Sequence, residues 1–262
     1  MNRKVLAALA LVALTVSSGC LGFFGSNEVS NERLTEDPPA PYAWNESANA
    51  HITLTENAKF QAVYRLNGSE LEVFRRDGFG GRNAIPVSAV RYRYPNGSVV
   101  DGAELKARGG EISQSRSATT VTLPPGASDG KLAFTAGSTP KRFAVPTFVE
   151  GSYEVVLPEG RRVTLFPFGN VVPRGYTLSE DDQGRTHIAW EDVTADSVVV
   201  QFYLQRDLYI FGAIAAVLVV VGVVGVGYYR RKIAALREER EELGLDVDVD
   251  DDDRQGPPPG MG

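Results

Sequence analysis

The stretch Lys59-Phe60-Gln61-Ala62-Val63-Tyr64-Arg65-Leu66-Asn67-Gly68 decides how the chain is read. Phe60, Ala62, Tyr64 and Leu66 fall on every second residue, so an extended backbone places them on one face, the pattern of a half-buried strand. Asn67-Gly68 follows, and both residues accept the positive φ angles of a tight hairpin turn. Folding across that turn sets Arg65 opposite Glu70, Tyr64 opposite Leu71 and Ala62 opposite Val73, charge against charge and apolar against apolar. A hairpin is therefore expected here.

The same chemistry recurs on the C-terminal side. Tyr94-Pro95-Asn96-Gly97-Ser98 offers a turn in which Pro presets φ, and it brings Tyr92 opposite Val100 and Arg91 opposite Asp101. Pro158-Glu159-Gly160 is expected to join Tyr153–Leu157 to Arg161–Phe166, pairing Val155 with Val163. Asp181-Asp182-Gln183-Gly184 is expected to join Tyr176–Ser179 to Arg185–Trp190, and Ser197–Leu204 forms a last strand. No helical periodicity is evident between residues 44 and 206. Short strands at this spacing predict an all-β fold, an antiparallel β-sandwich-like ectodomain. Pro- and Gly-rich stretches at 124–130 and 137–146 suggest a main unit at 44–143 and a smaller one at 144–206, with one continuous sandwich as the alternative. Residues 20–43, poor in aliphatic side chains and containing Pro38-Pro39-Ala40-Pro41, read as a flexible tether.

Two apolar segments set the expected topology. Met1-Asn2-Arg3-Lys4, an uncharged run from Val5 to Val16 and then Ser17-Ser18-Gly19-Cys20 have the layout of a secretory signal peptide over 1–19, too short to span a bilayer. Cys20 is the chain's single cysteine and follows the small residues, where it resembles the lipobox of exported lipoproteins, a resemblance that implies lipidation at Cys20. Leu208 to Tyr229 is a charge-free run of 22 residues, enough at about 1.5 Å per residue to cross the hydrocarbon core. It reads as a transmembrane helix at 207–229. Arg230-Arg231-Lys232 borders its C-terminal end, so the positive-inside rule places residues 230–262 in the cytoplasm and the bulk of the chain outside. Those last residues are expected to form a short helix from Arg230 and then an acidic disordered tail.

The basic residues comprise 21 Arg against 6 Lys, and carboxylates outnumber them, 33 to 27. With Ser18-Gly19-Cys20-Leu21-Gly22, a C-terminal span and an Asp-rich tail, this layout resembles the haloarchaeal membrane-anchored lipoproteins of unknown function. The resemblance implies an exported β-rich domain on a membrane anchor and carries no activity with it.

Candidate chemistry is sparse. One Cys excludes an internal disulfide, and two His with one Cys exclude a structural zinc module of the Cys₄ or Cys₂His₂ type. A net charge of −6 argues against nucleic acid as partner. Three Asn-X-Ser triplets, at Asn45, Asn67 and Asn96, are candidate glycosylation sites. Gly78-Phe79-Gly80-Gly81-Arg82 lacks the strand-then-helix context of a phosphate loop and reads as a flexible loop. Neither His51 nor His187 sits in a motif, and His187 reads as solvent-facing. The Asp246–Asp253 run lacks the Gly and terminal Glu of a calcium loop. No catalytic residue, metal ligand or cofactor is nominated. The expected role is a non-enzymatic, surface-displayed binding or structural module with membrane lipid and an envelope or membrane protein as partners; the alternative is an accessory or sensory subunit of a membrane complex.

Overall fold

The computed structural model describes residues 27–242. Of these, residues 27–205 form one compact unit and residues 206–242 a second. The first unit is β-rich. It runs through β1 (Asn27–Glu28), helix α1 (Asn31–Thr35), β2 (Ala50–Leu54), β3 (Lys59–Asn67), β4 (Glu70–Arg76), β5 (Arg82–Ala84), β6 (Val87–Arg93), β7 (Val99–Asp101) and helix α2 (Gly102–Ala107). It continues through β8 (Glu111–Gln114), β9 (Thr119–Thr122), β10 (Asp129–Gly137), β11 (Arg142–Pro146), β12 (Tyr153–Val156), β13 (Arg161–Arg162), β14 (Asn170–Val172), β15 (Thr177–Glu180), β16 (Thr186–Trp190), β17 (Ser197–Gln201) and β18 (Tyr203–Leu204). Helix α3 (Gln205–Glu242) follows.

An eight-stranded sheet, ordered β15-β16-β12-β2-β3-β10-β6-β7, lies against a five-stranded one, ordered β1-β8-β9-β4-β5, with smaller sheets β11-β17-β14 and β13-β18 completing the unit. All pairings are antiparallel except β12 with β2, which is parallel. One apolar core joins the inner faces: Phe60, Tyr64 and Phe134 from the large sheet meet Leu71, Val73, Ile112 and Val121 from the smaller one. Phe148 bridges them, its ring 5.8 Å from both Tyr64 and Phe74.

The alternation read in β3 is borne out, since Phe60, Ala62, Tyr64 and Leu66 are all buried. The hairpin after it is not. Strand β3 pairs with β10 over nine residues, Asn67 to Asp129 through Lys59 to Gly137, and on its other side with β2. Asn67-Gly68 instead carries the chain across the core to β4, which pairs with β9 and β5. Burial of both faces at Gln61–Tyr64 requires a central strand, and the nine-residue ladder supplies more backbone pairing than the local hairpin. The Tyr94–Ser98 turn behaves as expected, with Tyr92 opposite Val100 and Arg91 opposite Asp101. The Asp181–Gly184 turn likewise joins β15 to β16. Pro158-Glu159-Gly160 does not make a hairpin: β12 pairs with β16 and β2, while Arg161 and Arg162 pair with Leu204 and Tyr203.

Three further expectations change. The division near residue 143 is absent, because β11 crosses that boundary, β12 and β16 belong to the same sheet as β3, and one core runs through all of them. The unit is one continuous sandwich. A helix does occur between residues 44 and 206: α2 is a short one, N-capped by the Asp101 carboxylate, which accepts from the Glu104 N–H at 2.8 Å.

The third concerns the tether. From residue 27 it is part of the fold, with Val29, Leu34 and Tyr42 buried. Pro38, Pro39 and Pro41 supply no N–H, so this segment cannot join a sheet as an ordinary strand, yet its carbonyls still need donors. Side chains of the large sheet provide them. Arg91 donates to the carbonyls of Leu34, Thr35 and Glu36 at 3.0–3.2 Å. Gln61 donates to Ala40, and Lys131 donates to both Trp44 and Glu46 at 2.7 Å. Tyr42 donates to the Ala89 carbonyl. The segment is a strap laid across the outer face of the sheet.

Helix α3 is long and apolar enough to cross a membrane, and none of its most apolar window is buried. It runs unbroken past Arg230, Arg231 and Lys232, so the short helix expected after the span is its continuation.

Candidate functional site

Beside the strap, the outer face of the large sheet gathers both histidines of the chain onto one carboxylate. Glu154 on β12 stands beside His51 on β2 through the parallel pairing, and β16 flanks β12 on its other side with His187 opposite Val156. Period two puts Glu154 and Val156 on one face, so His187 and His51 reach Glu154 from either side. His51 Nδ1 lies 2.9 Å from Glu154 Oε2, and His187 Nδ1 lies 2.7 Å from Oε1.

The next shell holds both rings. His51, buried, has its Nε2 3.2 Å from Thr53 Oγ1. His187 has its Nε2 3.1 Å from Asp181 Oδ2. Asp181 sits in the β15–β16 turn, where its carboxylate accepts from the Arg185 Nε at 2.7 Å and from the backbone N–H groups of Gln183 and Arg185. An ionised carboxylate only accepts, so both nitrogens of His187 must donate, the arrangement of an imidazolium. Partial burial disfavours that charge, but the bonds to Glu154 and Asp181 outweigh it and raise the His187 pKa. The His51 hydrogen bond, opposed by partial burial and reinforced by His187, holds the Glu154 carboxyl down at about 2. Desolvation also works against ionised Asp181, yet the Arg185 backbone N–H, the His187 ring and the Arg185 guanidinium hold its carboxyl well below the usual range.

Glu46 adds a third side to the cluster. It stands on the strap, which Lys131 fixes by donating to the Glu46 carbonyl. Its exposed carboxylate, a His51 ring nitrogen and a Glu154 oxygen all lie within 4.8 Å of one another. These three residues could hold a metal ion.

None of the described residues singled out as sites from sequence belongs to this cluster, although Asn45 directly precedes Glu46. Asn45, Asn67 and Asn96 are all exposed, on the strap, at the end of β3 and in the β6–β7 turn. Asn45 Oδ1 accepts from Arg93, and Asn96 Oδ1 accepts from the Ser98 N–H and hydroxyl. Arg230, Arg231 and Lys232 lie on α3, while Cys20 and the Asp246–Asp253 run fall outside the described residues. The glycine-rich loop after β4 is closed by its own Asp77, whose carboxylate accepts from the N–H groups of Phe79 and Gly81. His187 does not face solvent as expected. The only sequence signal for the cluster was the rarity of histidine itself.

Comparison with curated proteins gives no match. A family model matches residues 46–248, which takes in β2 through β18, the whole of α3 and every member of the histidine and carboxylate cluster. The chain belongs to the family of unknown function DUF5803.

Proposed function

We propose that this protein is a non-enzymatic, membrane-anchored lipoprotein that displays its β-sandwich as a binding or structural module at the outer face of the cytoplasmic membrane. The observation that carries this reading is the unburied apolar helix α3 directly following a β-rich unit with its own complete core. The run Arg230-Arg231-Lys232 supports a cytoplasmic C-terminus. An exposed apolar loop, Leu165, Phe166 and Phe168, adds support. Gln201 at the end of β17 donates to the Pro167 and Phe168 carbonyls, and the Phe168 ring lies 6.3 Å from that of Tyr203. This loop is thereby held beside the last residues before α3, where an interfacial aromatic would meet headgroups. In this reading Cys20 carries lipid, and the exposed Asn45, Asn67 and Asn96 carry glycans. A second reading, an accessory or sensory subunit, is favoured by the unbroken course of α3 beyond Lys232, which would couple the two sides mechanically.

Fractionation of cells expressing anchor variants tests the first reading. Cys20→Ser should stay in the membrane, since a spanning helix anchors more strongly than acyl chains. A chain ended at residue 206 should stay through its lipid, and the two changes together should release the β unit. Release by Cys20→Ser alone, or retention of the double variant, contradicts the proposed anchoring. Stoichiometric co-purification of a second membrane protein with the intact chain, lost when residues 230–262 are removed, favours the second reading.

A further inference from the structure

We propose that Glu46, His51 and Glu154 bind one divalent transition-metal ion of the zinc class, a property independent of how the protein is anchored. The separation of His51 Nδ1 from Glu154 Oε2, 2.9 Å, suits neighbouring donors on one ion, each about 2.0–2.2 Å from it. Glu46 closes a third side from the strap, with a carboxylate oxygen within 4.8 Å of a His51 ring nitrogen and of a Glu154 oxygen. Its exposure leaves room for water at the remaining positions. Two carboxylates balance the ion's charge, and an imidazole favours zinc over magnesium or calcium, which prefer all-oxygen sites.

Neighbouring side chains hold both His51 and Glu154 in place. In the metal-free protein His51 donates from Nδ1 to Glu154. On metal binding that nitrogen becomes the ligand, its proton moves to Nε2, and Thr53 Oγ1, 3.2 Å away, accepts it. Glu154 has its other oxygen held by His187, which Asp181 holds in turn. His187 and Asp181 are positioning residues. An ion-pair network alone would account for Glu154, His51, His187 and Asp181. It requires nothing of Glu46, so Glu46 discriminates between the two accounts.

Full-length protein in detergent, stripped with chelator, is titrated with Zn²⁺ by calorimetry alongside Glu46→Gln, Glu154→Gln, His187→Asn and a variant lacking residues 246–262. Wild type and the tail deletion should bind one ion per chain, and tenfold more Mg²⁺ should not displace it. His187→Asn should weaken binding by about 10- to 100-fold, the range seen when a ligand's support is lost, and Glu46→Gln and Glu154→Gln, which each alter a ligand, by at least as much. Glu46 is exposed, so Glu46→Gln should keep the wild-type melting temperature in chelator and show a smaller upward shift than wild type at the same Zn²⁺ concentration. Absence of stoichiometric Zn²⁺ binding overturns the proposal. So does binding that Glu46→Gln leaves unchanged, or that disappears with the acidic tail.

Discussion

Leu34→Ala puts the strap to a quantitative test. Leu34 sits in a stretch whose composition reads as tether, yet it is fully buried, 0% exposed, in the common core. Its Cβ approaches the first residue of α2 so closely that a Cβ added at Gly102 would lie 2.8 Å from it, with Val90 and Ile112 completing the surround. Truncating a leucine enclosed in this way removes transfer free energy and leaves a cavity, together costing about 2–5 kcal/mol. Taking about 3 kcal/mol, and about 2–4 °C per kcal/mol for a unit of this size, the melting temperature should fall by about 6–12 °C. Both tryptophans, Trp44 and Trp190, lie in the β unit, so tryptophan fluorescence of the full chain in detergent follows that unit without a contribution from α3. A surface tether would tolerate the change within about 0.5 kcal/mol. A shift under about 1 °C would therefore refute the packing described for residues 27–43.

Other substitutions have expected signs. Tyr64 is fully buried and its hydroxyl has no hydrogen-bond partner, so Tyr64→Phe should raise stability by about 1 kcal/mol in denaturant titration, whereas Tyr64→Asp should prevent folding. Arg91→Ala removes the donor to three strap carbonyls and should cost about 1.5–3 kcal/mol, with limited proteolysis cutting first between residues 34 and 46. Arg65 stands opposite Lys131, and Lys131 opposite Arg93, a row of like charges across three strands; Arg65→Ala should be neutral or stabilising by a few tenths of a kcal/mol in the same titration. Replacing Arg230, Arg231 and Lys232 with Glu should scramble membrane orientation, read by protease protection of the C-terminus in vesicles.

The parts of the fold legible in sequence are those whose partners lie close along the chain. Tyr92 and Val100 face each other because Pro95-Asn96-Gly97 fixes the turn between them locally. Asn67-Gly68 has equally good turn chemistry, but β10 lies far along the sequence and offers β3 a longer ladder, which no local pattern announces. The strap was illegible for a different reason. Its stability rests on backbone carbonyls taking donors from Arg91, Gln61 and Lys131, and backbone acceptors look the same in every sequence. The histidine cluster was hidden by both effects. His51 and His187 meet only because β12 inserts between β2 and β16, and its pairing with β2 is parallel, which needs a long crossover rather than a readable turn. Glu154, among 33 acidic residues, carried no mark at all.

The central claim, a β-sandwich displayed outside the cell and held there by α3, is tested most directly by single-cysteine labelling. In a Cys20→Ser background the chain has no other cysteine, so Phe79→Cys at a fully exposed loop tip and Arg240→Cys near the end of α3 each provide one reporter. With a membrane-impermeant maleimide on intact cells, Phe79→Cys should label at once and Arg240→Cys only after permeabilisation. Labelling of Arg240→Cys from outside, with Phe79→Cys protected, would contradict the account.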